Sequence, residues 1–251
     1  MPFITSLNGL LATAAVALFA TSTAVAEPVP GQGSWEVTLQ SRDLDGDGTT
    51  DAFYDSVLNV TWLRNANLNG RMNWVSANGW ADNLVFGGYS DWRLPTVSPV
   101  NGVGFQYVGS NNGSTDVGWA KTGTGWGTAS EMGHLFYVTL GNKGACTPND
   151  ASPLTCGSFQ SGYGLSNDGD FLNMRSDYYW SGTEFATNTL NAWQFITTFG
   201  TQTGQLSKAN FMYAMAVRPG DVTVVPIPEP GSMALLGLAL AGLAALRQKA
   251  K

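Results

Sequence analysis

Gly87-Gly-Tyr-Ser-Asp-Trp-Arg-Leu-Pro-Thr96 (GGYSDWRLPT) is the stretch on which the fold turns. Trp92 and Leu94 alternate with Asp91 and Arg93. In an extended run that spacing sends the apolar pair into the core and the charged pair toward polar partners. Pro95 has no N–H for a ladder and limits its continuation. Arg93, together with Arg218 far downstream, seeks carboxylates, and Asp91 and Glu131 are the candidates. These residues read as architecture rather than chemistry.

Outward from that stretch, MNWVSANGWADNLVF (72–86) places Trp74, Ala77, Trp80 or Ala81, and Leu84 at helical spacing, with Gly87-Gly88 as a stop. SWEVTLQ (34–40) alternates like a strand, and DAFYDSVLNVTWL (51–63) reads as two short strands around a turn at Asp55-Ser56. Strand, helix, then many short strands predict an α+β domain with irregular loops. With 251 residues, the chain suits one such domain plus targeting segments. The 31 glycines and the low charged fraction of 12% favour a loop-rich exported domain over a helical bundle.

Charge narrows the partners. Residues 27–224 carry 9 Lys or Arg against 17 Asp or Glu, a net of −8. Such a domain repels phosphate backbones, so nucleic acid is not an expected partner, and acidic polysaccharides are disfavoured on the same ground. Cys146 and Cys156, the two cysteines, lie in the loop-like GACTPNDASPLTCG and read as a disulfide closing a small loop in an oxidising compartment.

Both ends read as addresses. Residues 1–26 hold an apolar run from Leu10 to Ala20 and the small-residue pattern Ala24-Val25-Ala26, the marks of a signal peptide cut after Ala26. Only the amino terminus supplies positive charge before that run. A linker follows over 27–34, the domain over 35–221, a Pro-rich linker over 222–232, and an apolar helix with a basic tail over 233–251. The C-terminal VPIPEPGSMALLGLALAGLAALRQKAK resembles the PEP-CTERM sorting signal: a Pro-Glu-Pro motif (Pro228, Glu229, Pro230), an apolar helix and a basic end. The apolar run Met233–Leu246 would span about 21 Å as a helix, against roughly 30 Å of hydrocarbon. Arg247 and Lys249 can snorkel, and basic residues at that end favour leaving it in the cytoplasm. The resemblance implies an exosortase-type processing enzyme as partner and anchoring at the inner membrane through this helix. It also implies a Gram-negative host that makes exopolysaccharide, with the domain reaching the cell surface or matrix.

GGYSDWRLPT also resembles the signature of the collagen-like-adhesin C-terminal (Lcl C-terminal) domain family. Supporting pieces are NVTWL (59–63), SEMGHLFYVTLGN (130–142), YYWSGTEF (178–185), NAWQF (191–195) and AMAVRPGD (214–221). The likeness covers Trp35 to Asp221, with Ser98 to Ala129 looking like a variable insertion. It implies a single C-type-lectin-like domain with short strands, one or two helices and long loops. It further implies glycan binding, to an exopolysaccharide or other envelope carbohydrate.

Three places invite chemistry. In RDLDGDGTTDAFYD (42–55), Asp43, Asp45 and Asp47 fall at positions 1, 3 and 5 of an EF-hand-like loop, with Gly48 at 6, Thr49 at 7 and Asp51 at 9. Tyr54 stands where the loop needs a bidentate Glu, and Asp55 could replace it only by another path. The motif is either an isolated calcium loop or a solvated Asp-Gly turn. Trp119 and Trp126, in the Gly- and Thr-rich stretch 116–130, mark ligand binding if exposed and packing if buried. The other indoles at Trp62, Trp74, Trp80, Trp92, Trp180 and Trp193 read as core. His134, the single histidine, shares a helical face with Ser130 beside Glu131, but nothing supplies an oxyanion site, so no catalytic residue is assigned. The expectation is a noncatalytic binding protein of the cell surface. A structural or protein-interaction module without a glycan ligand is the alternative, and a divergent modifying enzyme the third reading.

Overall fold

The computed structural model describes residues 33–222. The predicted signal peptide, Pro228, Glu229, Pro230 and the predicted apolar helix lie outside them. Two sheets and a few short helices make up the described chain, as a mixed α and β composition requires. One sheet has four antiparallel strands: β1 (Leu39–Arg42), β2 (Ala52–Asp55), β3 (Val60–Leu63) and β9 (Val217–Pro219), adjacent in that order. The other has the order β4 (Gly109–Ser110), β5 (Val117–Gly118), β8 (Thr201–Ser207), β7 (Asn191–Ile196), β6 (Tyr178–Glu184). Its β4–β5 pair is parallel and the remaining pairs antiparallel. Among the described residues no helix is long and apolar enough to cross a membrane.

The β2–β3 hairpin forms where the sequence predicts it. Asp55, fully buried, accepts the Val57 and Leu58 N–H groups at 3.0 and 3.1 Å, and Asn59 takes the left-handed conformation (φ 53°) that returns the chain. Asx turns of this kind replace backbone partners that a buried turn would otherwise lack. The predicted helix is α2 (Trp74–Asp82), capped by Asn73, whose side chain accepts from Ser76 N–H at 2.9 Å. It buries Ala77 and Ala81, while Trp74 and Trp80 are half-buried at its flank.

One local expectation fails. SWEVTLQ is not a continuous strand: Trp35–Thr38 form a helical turn, α1, before β1 begins. Ser34 C=O accepts both the Val37 and Thr38 N–H groups, and the Thr38 hydroxyl adds a third bond. Such local bonding competes with a ladder and here displaces it. Within residues 98–129, β4 and β5 form a parallel pair, and β5 pairs with β8.

GGYSDWRLPT stitches the two sheets. Arg93 exchanges backbone bonds with Val217 of β9 (2.8 and 2.9 Å), and Pro95 C=O accepts from Gly182 of β6 at 2.8 Å. Trp92 packs with Leu44, Ala52, Leu63, Ala216 and Val222 under the first sheet. Leu94 packs with Trp180, Met72, Ala77 and Ala214. The alternate charged pair finds the expected carboxylates. Glu131 takes both ends of the Arg93 guanidinium at 2.7 Å, and Asp91 takes those of Arg218 at 2.7 and 2.9 Å. Glu131 opens α3 (Glu131–His134), which runs on as one π-helical segment through Thr139 with Leu135, Phe136 and Tyr137 buried.

Candidate ligand-binding surface

The aspartate loop joins β1 to β2. Asp43, Asp45 and Asp51 each present a carboxylate oxygen, and these oxygens lie within 4.8 Å of one another. Oxygens 2.3–2.6 Å from one calcium ion lie at most about 5 Å apart, so the three carboxylates fit a single cation. Asp47 turns away: its Oδ1 accepts from both the backbone and hydroxyl of Thr49 (2.8 and 2.7 Å). The bonds from Thr49 hold its carboxyl below the usual range. Asp51 moves the other way, raised by burial and by the charges of Asp45, Asp43 and Asp47, against the Leu44 N–H bond that lowers it. Asp47 bonds within the Thr49 turn and is not one of the three, and Asp55 is held by its own turn and by the Thr139 hydroxyl. The positional pattern was legible; which carboxylates converge depends on backbone turns that spacing does not encode.

Trp119 and Trp126 separate. Trp126 is 3% exposed, its rings pack against Tyr137 and Phe195, and its Nε1–H donates to Thr115 C=O at 2.7 Å. That places it in the core and removes it from any ligand-contact surface. Gly125, at φ +55°, lets the chain dive inward just before it. Trp119 is half-buried and lines a cleft of about 180 Å³ with Ser110, Asn111, Leu154, Thr155 and Cys156. Its indole N–H is buried without a partner.

The cleft has a disulfide wall. Cys146 and Cys156 are bonded, with Cα atoms 5.5 Å apart. Asn111, 1% exposed, ties the loop they close to β4: its amide donates to Ser152 and Thr155 carbonyls, and its carbonyl accepts from Asn149 N–H at 2.9 Å. Beyond the disulfide stands a ridge of exposed rings (Phe159, Tyr163, Phe199), none of them the tryptophans that the sequence singles out. The missed signal was the charge-free, glycine-spaced GSFQSGYG of residues 157–164.

Ser130 and His134 do not pair. The Ser130 hydroxyl donates to Gln202 Oε1 and caps α3 by accepting from Gly133 N–H, while His134 Nδ1 lies 3.0 Å from Gly127 C=O. Both side chains are buried as parts of the packing.

The described residues form a domain of two sheets with a disulfide-clamped loop and an acidic loop. The C-terminal segment adds the specific finding. Residues 226–249 match the PEP-CTERM protein-sorting motif. The motif implies an exported protein that carries a C-terminal sorting signal and is processed by an exosortase-type enzyme on its way to the cell surface. No curated protein matches the chain.

Proposed function

We propose that the chain is a noncatalytic surface or matrix protein whose domain binds carbohydrate of the envelope or exopolysaccharide, with the PEP-CTERM segment holding it until processing. The sorting match over 226–249 carries the cellular part of this reading. For the binding part, support comes from Trp119, a half-buried indole lining a cleft with uncharged polar partners Ser110, Asn111 and Thr155. Resemblance of Trp35–Asp221 to the Lcl C-terminal domain, with its lectin-like fold, points the same way. Calcium is the proposed cofactor, held by Asp43, Asp45 and Asp51, where it would neutralise mutually repelling carboxylates and stiffen the β1–β2 connection. One observation favours the structural-module alternative: Trp126, half of the expected aromatic pair, is core.

The test is saturable binding of the purified protein to exopolysaccharide from a producing strain, in calcium and then in chelator. Binding that weakens with chelator and with Trp119→Ala supports a calcium-assisted lectin-like role. No binding to several glycan classes in either condition overturns it in favour of the structural module.

A further inference from the structure

Three backbone segments, 143–147, 158–164 and the turn at 198–200, are laced together beside the disulfide. Thr147 N–H donates to Ser158 C=O (2.9 Å), Gln160 N–H to Ala145 C=O (2.8 Å), Ala145 N–H to Phe199 C=O (2.8 Å) and Gly164 N–H to Lys143 C=O (2.9 Å). The Gln160 amide adds bonds to the Gly144 and Cys146 carbonyls, both at 2.9 Å. Glycine makes the close approach possible. A Cβ at Gly164 (φ +90°) would lie 2.6 Å from Thr198 O, and one at Gly200 (φ +63°) 2.7 Å from the Phe136 ring.

This framework carries an aromatic row. Phe159 is 73% exposed, Tyr163 42% and Phe199 40%. Successive ring centroids are 6.4 and 6.2 Å apart, with planes inclined by 37° and 24°. Large rings held outward on a hydrogen-bonded, cross-linked base keep apolar area in water and leave little backbone entropy to lose on binding.

Area and charge choose the occupant. The exposed parts of the three rings amount to roughly 300 Å², well short of the about 800 Å² per partner that a stable protein interface uses. Residues 157–164 and 196–203 contain no Asp, Glu, Lys or Arg, Lys143 on the adjoining segment is the one charge of the framework, and Ser158, Gln160, Ser161 and Thr198 supply hydroxyls and an amide. An aromatic and hydroxyl surface with a single lysine beside it, on an acidic chain, suits a ligand that has apolar C–H faces and neutral hydroxyl edges. We propose that the Phe159–Tyr163–Phe199 ridge is the carbohydrate-contact surface of this domain and that it takes an uncharged polysaccharide chain. The inference rests on the carbohydrate reading above and moves its main contact from the Trp119 cleft to the ridge.

The experiment measures binding of the purified full chain to soluble uncharged polymers (a β-glucan, a galactomannan and a chitin oligomer) and to anionic alginate. Phe159→Ala, Phe199→Ala, Tyr163→Ala and Trp119→Ala variants run in parallel. Wild-type binding to an uncharged polymer in preference to alginate, weakened about tenfold by each ridge variant, is the expected result. Because Phe159 is mostly in solvent, Phe159→Ala keeps the wild-type melting temperature, so its loss of binding is not misfolding. Uncharged-polymer binding that survives the ridge variants but falls with Trp119→Ala overturns the ridge and leaves the carbohydrate reading standing. Preference for alginate overturns the uncharged class, and absence of binding to every polymer overturns both readings. Concentration-dependent dimerisation that Phe159→Ala abolishes overturns the proposal in favour of a self-interface.

Discussion

Removing the Glu131 carboxylate is expected to cost the domain about 3 kcal/mol. Glu131 is 8% exposed and accepts three charge-assisted bonds of 2.7 Å: two from the Arg93 guanidinium and one from Thr96 N–H. Breaking a buried pair from one side costs about 3–5 kcal/mol, because the remaining charge stays desolvated. The Arg93 side chain is 30% exposed, so water recovers part of that penalty and the lower end applies. For a domain of this size, Glu131→Ala should lower the melting temperature by about 6–12 °C. Glu131→Gln keeps one carbonyl acceptor and should lose roughly half as much. The decisive assay is a double-mutant cycle of Arg93→Met and Glu131→Ala in urea unfolding, with coupling of about 2 kcal/mol expected. Coupling below about 0.5 kcal/mol would refute the claim that this pair ties the GGYSDWRLPT segment to α3.

Three further outcomes follow from the same physics. The double variant Cys146→Ser, Cys156→Ser opens a loop of sequence separation 10 and should cost about 3 kcal/mol by chain entropy, read by urea unfolding against the oxidised parent; unchanged stability would deny the clamp. Asp51 has its pKa raised by burial and neighbouring charge, so its ionised form opposes folding at neutral pH and the penalty fades as pH falls through its folded value. Asp51→Asn should therefore stabilise the calcium-free protein slightly and blunt a calcium-induced rise in melting temperature, a rise worth about 2.7 kcal/mol at a hundredfold excess over Kd. Asp91 and Asp221 run oppositely: their hydrogen bonds to Arg218 and Arg42 depress their pKa values. Their contribution is complete above the ordinary carboxylate value near 3.8, and it is lost as pH falls through the lower folded values. Asp91→Asn should flatten the acid limb of a stability-versus-pH curve below about pH 4, and an unchanged limb would remove the Arg218 pair as its cause.

What was legible in the sequence was whatever a local pattern enforces. Alternation at Asp91–Leu94 predicted the buried pair and turned Asp91 and Arg93 toward polar partners, because period two leaves an extended segment no other way to sort its side chains, while which arginine meets which carboxylate came from the fold. The helical spacing through Trp74, Ala77 and Ala81 predicted α2, and the structure adds its Asn73 cap. The paired cysteines predicted their bond. What failed needed information from elsewhere in the chain. Trp126 is buried because Tyr137 and Phe195, from other elements, close over it, and nothing within 116–130 signals that. Phe159, Tyr163 and Phe199 meet only because glycines at 164 and 200 admit two remote segments to one place.

The C-terminal exit places constraints of its own on how the domain is presented. Val222 is buried with Trp92 and Leu44, and Asp221 is held by the Arg42 guanidinium at 2.7 and 2.8 Å. The chain is therefore fixed to the first sheet up to the residue at which the described structure ends. β9 ends beside Val60, opposite the Arg42–Ala52 end that carries the aspartate loop, and the Arg42 guanidinium reaches Asp221 from that other end. Five residues separate Val222 from Pro228, and the six steps between them reach, fully extended, no more than about 22 Å. A processing enzyme acting at the Pro-Glu-Pro motif must then approach within that distance of the folded sheet. The aromatic ridge is built on different segments, laced to the turn between β7 and β8 of the second sheet. The exit of the chain and the aromatic ridge thus lie on separate sheets of one domain, joined by the Trp92–Pro95 stitch. A ligand on the ridge need not compete with the tether for the same surface.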